Sequence, residues 1–177
     1  MNIRILNISV GMLASARREE QEELLAAIEA VWDAGIVVVA AAGNNGPKDK
    51  SITIPGLCRK IITVGSSDDE EGEVKNLGLM RGYSGRGPTE ACIMKPEVVA
   101  PGTAIVSCKR MGNGYEMKSG TSMATPVVAG AVAVLLSRYS NLKPAEVKLR
   151  LYETSVDTGK SKHAQGWGRL DVMQLIR

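Results

Sequence analysis

"IVVVAAAGNNG", residues 36–46, decides the architecture. Its apolar run is short for a helix and too uniformly apolar for a strand with one wet face. Such a run reads as a strand buried on both faces, as in a parallel sheet. The Gly-Asn cluster behind it is a loop at the strand's carboxyl end, the edge where open α/β sheets place their sites. Working backward, residues 18–34 carry Leu24, Leu25, Ile28, Val31 and Trp32 at helical spacing, and Gly35 stops them. Before that, "IRILNIS" (3–9) reads as a strand, broken by Gly11. Strand, helix, strand is the parallel unit with a right-handed crossover.

Working forward, "KIITVGSS" (60–67) is a further strand, and "DDEEGE" (68–73) reads as an acidic, solvated turn. "GYSGRGPT" (82–89) is loop. "KPEVVAPGTAIVSC" (95–108) holds two extended pieces parted by Pro101-Gly102, and "GNGYEM" (112–117) turns a hairpin into another strand. Helices are expected over 122–139 and 144–155. The second has Pro144 at its start and Glu146 in its first turn, both favourable there. "GWGRLDVMQLIR" (166–177) closes with a short helix. The expected fold class is α/β, a parallel β-sheet with helices on both faces, in a single domain over 1–177. An apolar strand starting at residue 3 with no cap before it predicts an N-terminally truncated domain.

Composition narrows the function. Phe is absent and aromatics are 3%, so the core must be built from Val, Ile, Leu, Ala and Met. A net charge of +3 with scattered basic residues argues against nucleic acid as a partner. Cys58, Cys92 and Cys108 form no C-x-x-C pair and the single histidine, His163, lies far from them, which argues against zinc. Three unpaired thiols favour a reducing compartment, the cytoplasm. No secretory signal is found, and no segment reads as long and apolar enough to span a membrane, so no membrane partner is expected. No G-x-G-x-x-G follows the first strand and no Walker loop appears, which argues against nucleotide binding.

The chemistry gathers in "KSGTSMATPVVAGAVAVLL" (118–136). Gly120 permits an unusual backbone angle immediately before Thr121 and Ser122, where a helix begins. The unpaired N–H groups of a helix start, at the positive end of its dipole, stabilise negative charge developing on a substrate oxygen. Pro126 fixes the helix start close to Ser122. The run beyond it is apolar on every side, so the helix is expected to be central and buried. At this level Ser122 reads either as a nucleophile or as part of an ordinary N-cap made by Thr121 or Ser122. It is not a G-x-S-x-G elbow, because Ala124 occupies the second Gly position.

"SGTSMATPVVAGAVAVLL" resembles the nucleophile motif of subtilisin-like serine proteases. "LNISVG", "IVVVAAAGNNG", "YSGRGPT" with "MKPEVVAPGTAIVS", and "AQGWGRLDV" resemble further segments of that family in the same order. The resemblance covers nearly the whole chain. It implies Ser122 as nucleophile of peptide-bond hydrolysis. It implies Asn44 and the Ser122 N–H as oxyanion donors. It implies Ser9, Val10, Gly11 and Ala41, Ala42, Gly43 as walls of the substrate pocket. Their backbones would pair with an extended protein or peptide substrate, and their small size leaves room for a sizeable apolar side chain. Val127 stands where many members carry a His that is not the catalytic base.

The family's Asp and His motifs would lie upstream of "LNISVG", and neither block occurs before it in this sequence. "DTG" at 157–159 reads as a turn, and His163 lies in the Lys-rich loop "GKSKHAQ", read as exposed surface. The chain by itself is therefore expected to be inactive, with its missing N-terminal half as partner or with self-association through the exposed sheet edge. The alternative is a non-catalytic module for peptide binding or subunit interaction. No cofactor is required for this chemistry. The family often binds calcium, but no residue here matches a ligand set.

Overall fold

The computed structural model describes residues 3–12, 18–70 and 81–177. Four strands, β1 (Ile5–Ile8), β2 (Val37–Ala41), β3 (Ile62–Ser66) and β4 (Val98–Ala100), form a parallel sheet in the order β1-β2-β3-β4. Register is set by Ile5 opposite Val37, Val39 opposite Ile62 and Val64 opposite Val98. β2 and β3 are buried at every residue, so both sheet faces are covered. That is why their sequences do not alternate. Helix α1 (Arg18–Asp33) links β1 to β2 and buries Ile28 and Trp32. A two-stranded antiparallel ribbon, β5 (Ile105–Cys108) with β6 (Tyr115–Lys118), leads into α2 (Thr121–Arg138). Helices α3 (Pro144–Thr154), α4 (Lys162–Gln165) and α5 (Val172–Leu175) close the chain. The α4 turn lies within the Lys-rich stretch expected to be loop.

α2 packs on all four strands of the parallel sheet. Val128, Val132 and Leu135 are fully buried, each stabilising the fold by about 1.5–3 kcal/mol. By length and composition alone α2 could cross a membrane, with 18 residues and a mean hydropathy of 1.3. This corrects the expectation that no segment qualifies. Its packing against the sheet makes it a core helix. Nor is it buried all round. Pro126, Gly130 and Ala133 are exposed, and Val127 and Val134 keep 38% and 48% of their surface. These positions recur at helical spacing, so one apolar stripe of α2 is uncovered among the described residues. Pro126 is the sixth residue of α2, in its second turn instead of its first. There it leaves the Ser122 carbonyl without the usual helical N–H. Thr125 Oγ1 instead donates to the neighbouring Thr121 carbonyl at 2.7 Å.

Two polar clusters are buried. Lys95 is wholly inaccessible, and its Nζ donates to both Glu97 oxygens (2.7 and 2.9 Å), to Thr63 Oγ1 (3.0 Å) and to the Ile61 carbonyl (3.2 Å). Lys148 of α3 reaches Glu97 Oε1 at 2.9 Å, and the Thr63 N–H donates to Glu97 Oε2 at 2.8 Å. Burial pulls the Lys95 ammonium down to about 8, against the opposing pull of Glu97. The second cluster corrects the reading of "DDEEGE" as a solvated turn. Asp69 is 3% exposed, and burial raises its carboxyl above the ordinary range. Asp68 accepts hydrogen bonds from three groups. Residues 71–73 of that stretch lie outside the described residues.

Candidate active site

β1 and β2 end side by side, and the loops leaving them face the start of α2. The N-cap of α2 is Gly120, at φ 149°. Thr121 and Ser122 are thus the first residues of the helix, which removes the reading of either as an ordinary N-cap. A Cβ on Gly120 would stand 3.1 Å from Asn44 Nδ2, so glycine also makes room for that carboxamide.

Thr121 orients Asn44. Asn44 Oδ1 accepts from the Thr121 N–H (3.0 Å) and from Thr121 Oγ1–H (3.0 Å). The Thr121 hydroxyl in turn accepts from the Gly43 N–H at 3.1 Å. With Oδ1 committed, only one amide orientation survives and Nδ2 is left free to donate. The Ser122 N–H also has no acceptor among the described residues. Asn44, Thr121 and Ser122 line one cavity of about 230 Å³ together with Gly11, Ala41, Gly43, Asn45 and Thr53. Two free N–H donors beside one serine hydroxyl make a site able to hold an oxyanion. Ser122 Oγ donates to the Ser9 carbonyl at 2.8 Å. That carbonyl is an acceptor but no base, so this contact leaves the hydroxyl un-ionised.

The expected wall residues are brought together unequally. Gly11, Ala41 and Gly43 line the cavity with Ser122. Val10 is 71% exposed and borders a neighbouring apolar hollow of about 260 Å³ with Met12, Leu24 and Ile54. Ala42 lies behind the wall, fully buried. Its N–H donates to Val64 O and its carbonyl accepts from the Thr53 N–H. The Gly43 carbonyl accepts from the Gly85 N–H, and its own N–H is held by Thr121. The N–H groups of Ala42 and Gly43 are therefore both engaged, and each carbonyl already accepts one hydrogen bond, so neither residue has a free donor for an extended peptide.

Thr53 stands between the two glycines. A Cβ on Gly43 would lie 2.5 Å from Thr53 Oγ1 and 2.6 Å from its Cγ2, and a Cβ on Gly11 would run into the same hydroxyl. Gly46 is more than a turn residue, since a Cβ there would lie 2.5 Å from the Gly82 carbonyl. Thr53 and Thr121 escaped sequence reasoning. Nothing local to "SITIPG" says that Thr53 reaches the cavity, and Thr121 is masked by the serine next to it.

His163 is absent from the cavity; its Nδ1 lies 3.0 Å from Asp49 Oδ2 at the surface. Asp157 folds its own turn. Its Oδ1 accepts from the Gly159 N–H at 2.8 Å and from Gln165 Nε2 at 2.8 Å, and its Oδ2 pairs with Lys162 at 2.9 Å. The Gly159 N–H, with Lys162 and Gln165, holds that carboxyl down at about 2. Among the described residues no group of three or more His, Cys, Asp or Glu is placed to hold a metal. A larger hollow of about 470 Å³, near Asp68, Lys160 and Arg169, lies outside the set that joins Ser122 to Asn44.

The subtilase family profile matches residues 1–168. The chain is 38% identical over 180 residues to "Serine protease AprX" of Bacillus subtilis (strain 168), covering 94% of this chain and 40% of that one. It is 34% identical over 170 residues to "Subtilisin DY" of Bacillus licheniformis, covering 95% of this chain and 55% of that one. The chain thus spans about half the length of these relatives or less. Among solved structures, the prenylagaramide maturation protease PagA superposes with a TM-score of 0.74 at 26% identity, covering 98% of this chain and 60% of that one. The protease domain of PatA, as an S218A mutant, gives 0.72 at 27%, covering 97% and 58%.

Proposed function

The chain belongs to the subtilase family, and on that premise we propose that it is the serine-bearing part of a serine endopeptidase. The observation that carries this is the pairing of Ser122 with two unengaged donors, Asn44 Nδ2 and its own N–H, around one cavity. In the proposed reaction Ser122 Oγ adds to a peptide carbonyl while a base takes its proton. The C–N bond then breaks, the amine leaves with that proton, and water hydrolyses the acyl-serine. No cofactor enters these steps. The cavity has no imidazole, so the base and its carboxylate partner are proposed to come from a segment outside these 177 residues, linked or on a second chain.

Two features support such a partner. The uncovered stripe of α2 is apolar, and β1 has no neighbour on its outer side among the described residues. An apolar helix face and an open strand edge both favour association. The substrate is proposed to be an extended polypeptide laid along Ser9 to Gly11. Thr53, packed against Gly11 and Gly43 in the same cavity, is proposed to help select the side chain beside the scissile bond.

A fluorophosphonate probe tests the assignment. Ser122 should label quickly when the chain is paired with a segment carrying a subtilase's Asp and His motifs, slowly in the chain alone, and not at all in Ser122→Ala. Equal labelling with and without the segment would place the base within this chain. No labelling in the pair would favour a module that binds peptides without cleaving them, a reading that the Ser122–Ser9 contact supports.

A further inference from the structure

We propose that Asp68 is a positioning residue for the Ser122 turn; this rests on the serine-peptidase reading of that site. Asp68 Oδ1 accepts from Ser66 Oγ–H at 2.8 Å, from the Gly102 N–H at 2.9 Å and from the Thr103 N–H at 3.1 Å. One oxygen therefore holds the end of β3 and the loop after β4. Tyr83 completes the hub, its hydroxyl 3.0 Å from Ser66 Oγ, 3.1 Å from the Gly102 carbonyl and 3.0 Å from Thr103 Oγ1.

The held loop is the one that grips the nucleophile turn. The Gly102 carbonyl accepts from the Gly120 N–H at 2.9 Å, and the Ala104 N–H donates to Ser119 Oγ at 2.8 Å. Contact is tight as well as polar. A Cβ on Gly102 would lie 2.9 Å from the Gly120 carbonyl and 3.2 Å from Ala124 Cβ. Only Thr121 separates Gly120 from Ser122, so displacement of residues 102–104 moves the serine and its N–H relative to Asn44. Among the described residues the Asn44 carboxamide is held only from the Thr121 side, and the donors stay in register only if the turn does. Sub-ångström placement of such donors decides how well they stabilise a developing charge.

Asp68→Ala and Asp68→Asn test this, because asparagine keeps an oxygen at Oδ1 and loses only the charge. Amide hydrogen exchange is read on the chain itself. In Asp68→Ala the Gly102, Thr103 and Gly120 amides should exchange about tenfold faster or more, as expected for local opening. The Thr63 amide, held by Glu97, should not change, and Asp68→Asn should restore most of the protection. In the chain paired with the Asp- and His-bearing segment, Asp68→Ala should lower kcat about tenfold with KM little changed, and Asp68→Asn should recover most of it. Unchanged exchange at Gly120, a uniform rise that includes Thr63, or failure of asparagine to restore would overturn the proposal. If the wild-type pair proves inactive, the peptidase reading falls and the exchange arm still decides the role of Asp68.

Discussion

Glu97→Gln offers a quantitative test of the buried cluster that ties β3, β4 and α3 together. It removes the carboxylate between Lys95 and Lys148 and leaves an inaccessible ammonium with neutral partners only. Losing one partner of a buried pair ordinarily costs about 3–5 kcal/mol. Here an escape route limits the Lys95 share of that cost, because Lys95 can release its proton. Its ammonium already sits at about 8 against an ordinary 10.5. Discharging it costs about 1.4 kcal/mol for each pH unit below 8. The Lys95 share of the penalty is therefore on the order of a few kcal/mol at pH 6 and shrinks toward pH 8, while the lost Glu97 contacts with Lys148 and the Thr63 N–H add a part that does not titrate in this range.

The sign follows from proton counts. In the variant the folded state has lost a proton that the unfolded chain still holds, so the variant's stability rises with pH. The wild-type contribution from Lys95 is flat below 8. It then rises between about 8 and 10.5, where the unfolded state again binds the extra proton. Urea unfolding of both proteins followed by circular dichroism at pH 6, 7 and 8 measures this. A penalty that stays constant or grows from pH 6 to 8 would refute the reasoning.

Three further outcomes are expected. Thr121→Val removes one of the two hydrogen bonds that orient the Asn44 carboxamide, leaving the backbone one, and should lower kcat of the paired enzyme about tenfold with little change in KM, the scale of one lost hydrogen bond, while Thr121→Ser should retain most activity; steady-state kinetics decide this. Thr53→Gly opens the floor between Gly11 and Gly43, and cleavage profiling should show preference moving toward larger side chains beside the scissile bond by about tenfold, the worth of a methylene or two. Gly46→Ala drives a methyl into the Gly82 and Ser84 carbonyls and should lose about 1–3 kcal/mol in urea unfolding, with no pH dependence.

Much of the fold was legible because its signals are local. The uninterrupted apolar run of β2, the helical spacing of Leu24, Ile28 and Trp32, and the breaks at Gly35 and Pro101-Gly102 each report on their own backbone. The site was legible in part for the same reason, since Asn44 follows a strand and Ser122 opens a helix, and the sequence marks both boundaries. Asp68 was read as solvent-facing because a run of acidic residues ordinarily is. Its partners, Gly102 and Thr103, lie 34 and 35 positions away. Thr53 carried no local signal, and only the fold sets it between two glycines.

By itself the sequence determined the element types and the parallel sheet, because backbone propensity and hydrophobic period act over a few residues, and its resemblance to the subtilase motifs singled out Ser122 and Asn44 as candidates. Tertiary structure alone decided which donors are free, how deep the cavity runs, and that the apolar helix is half uncovered. Those properties belong to contacts between segments, where one hydroxyl at Thr121 or Thr53 changes what its distant neighbours can do.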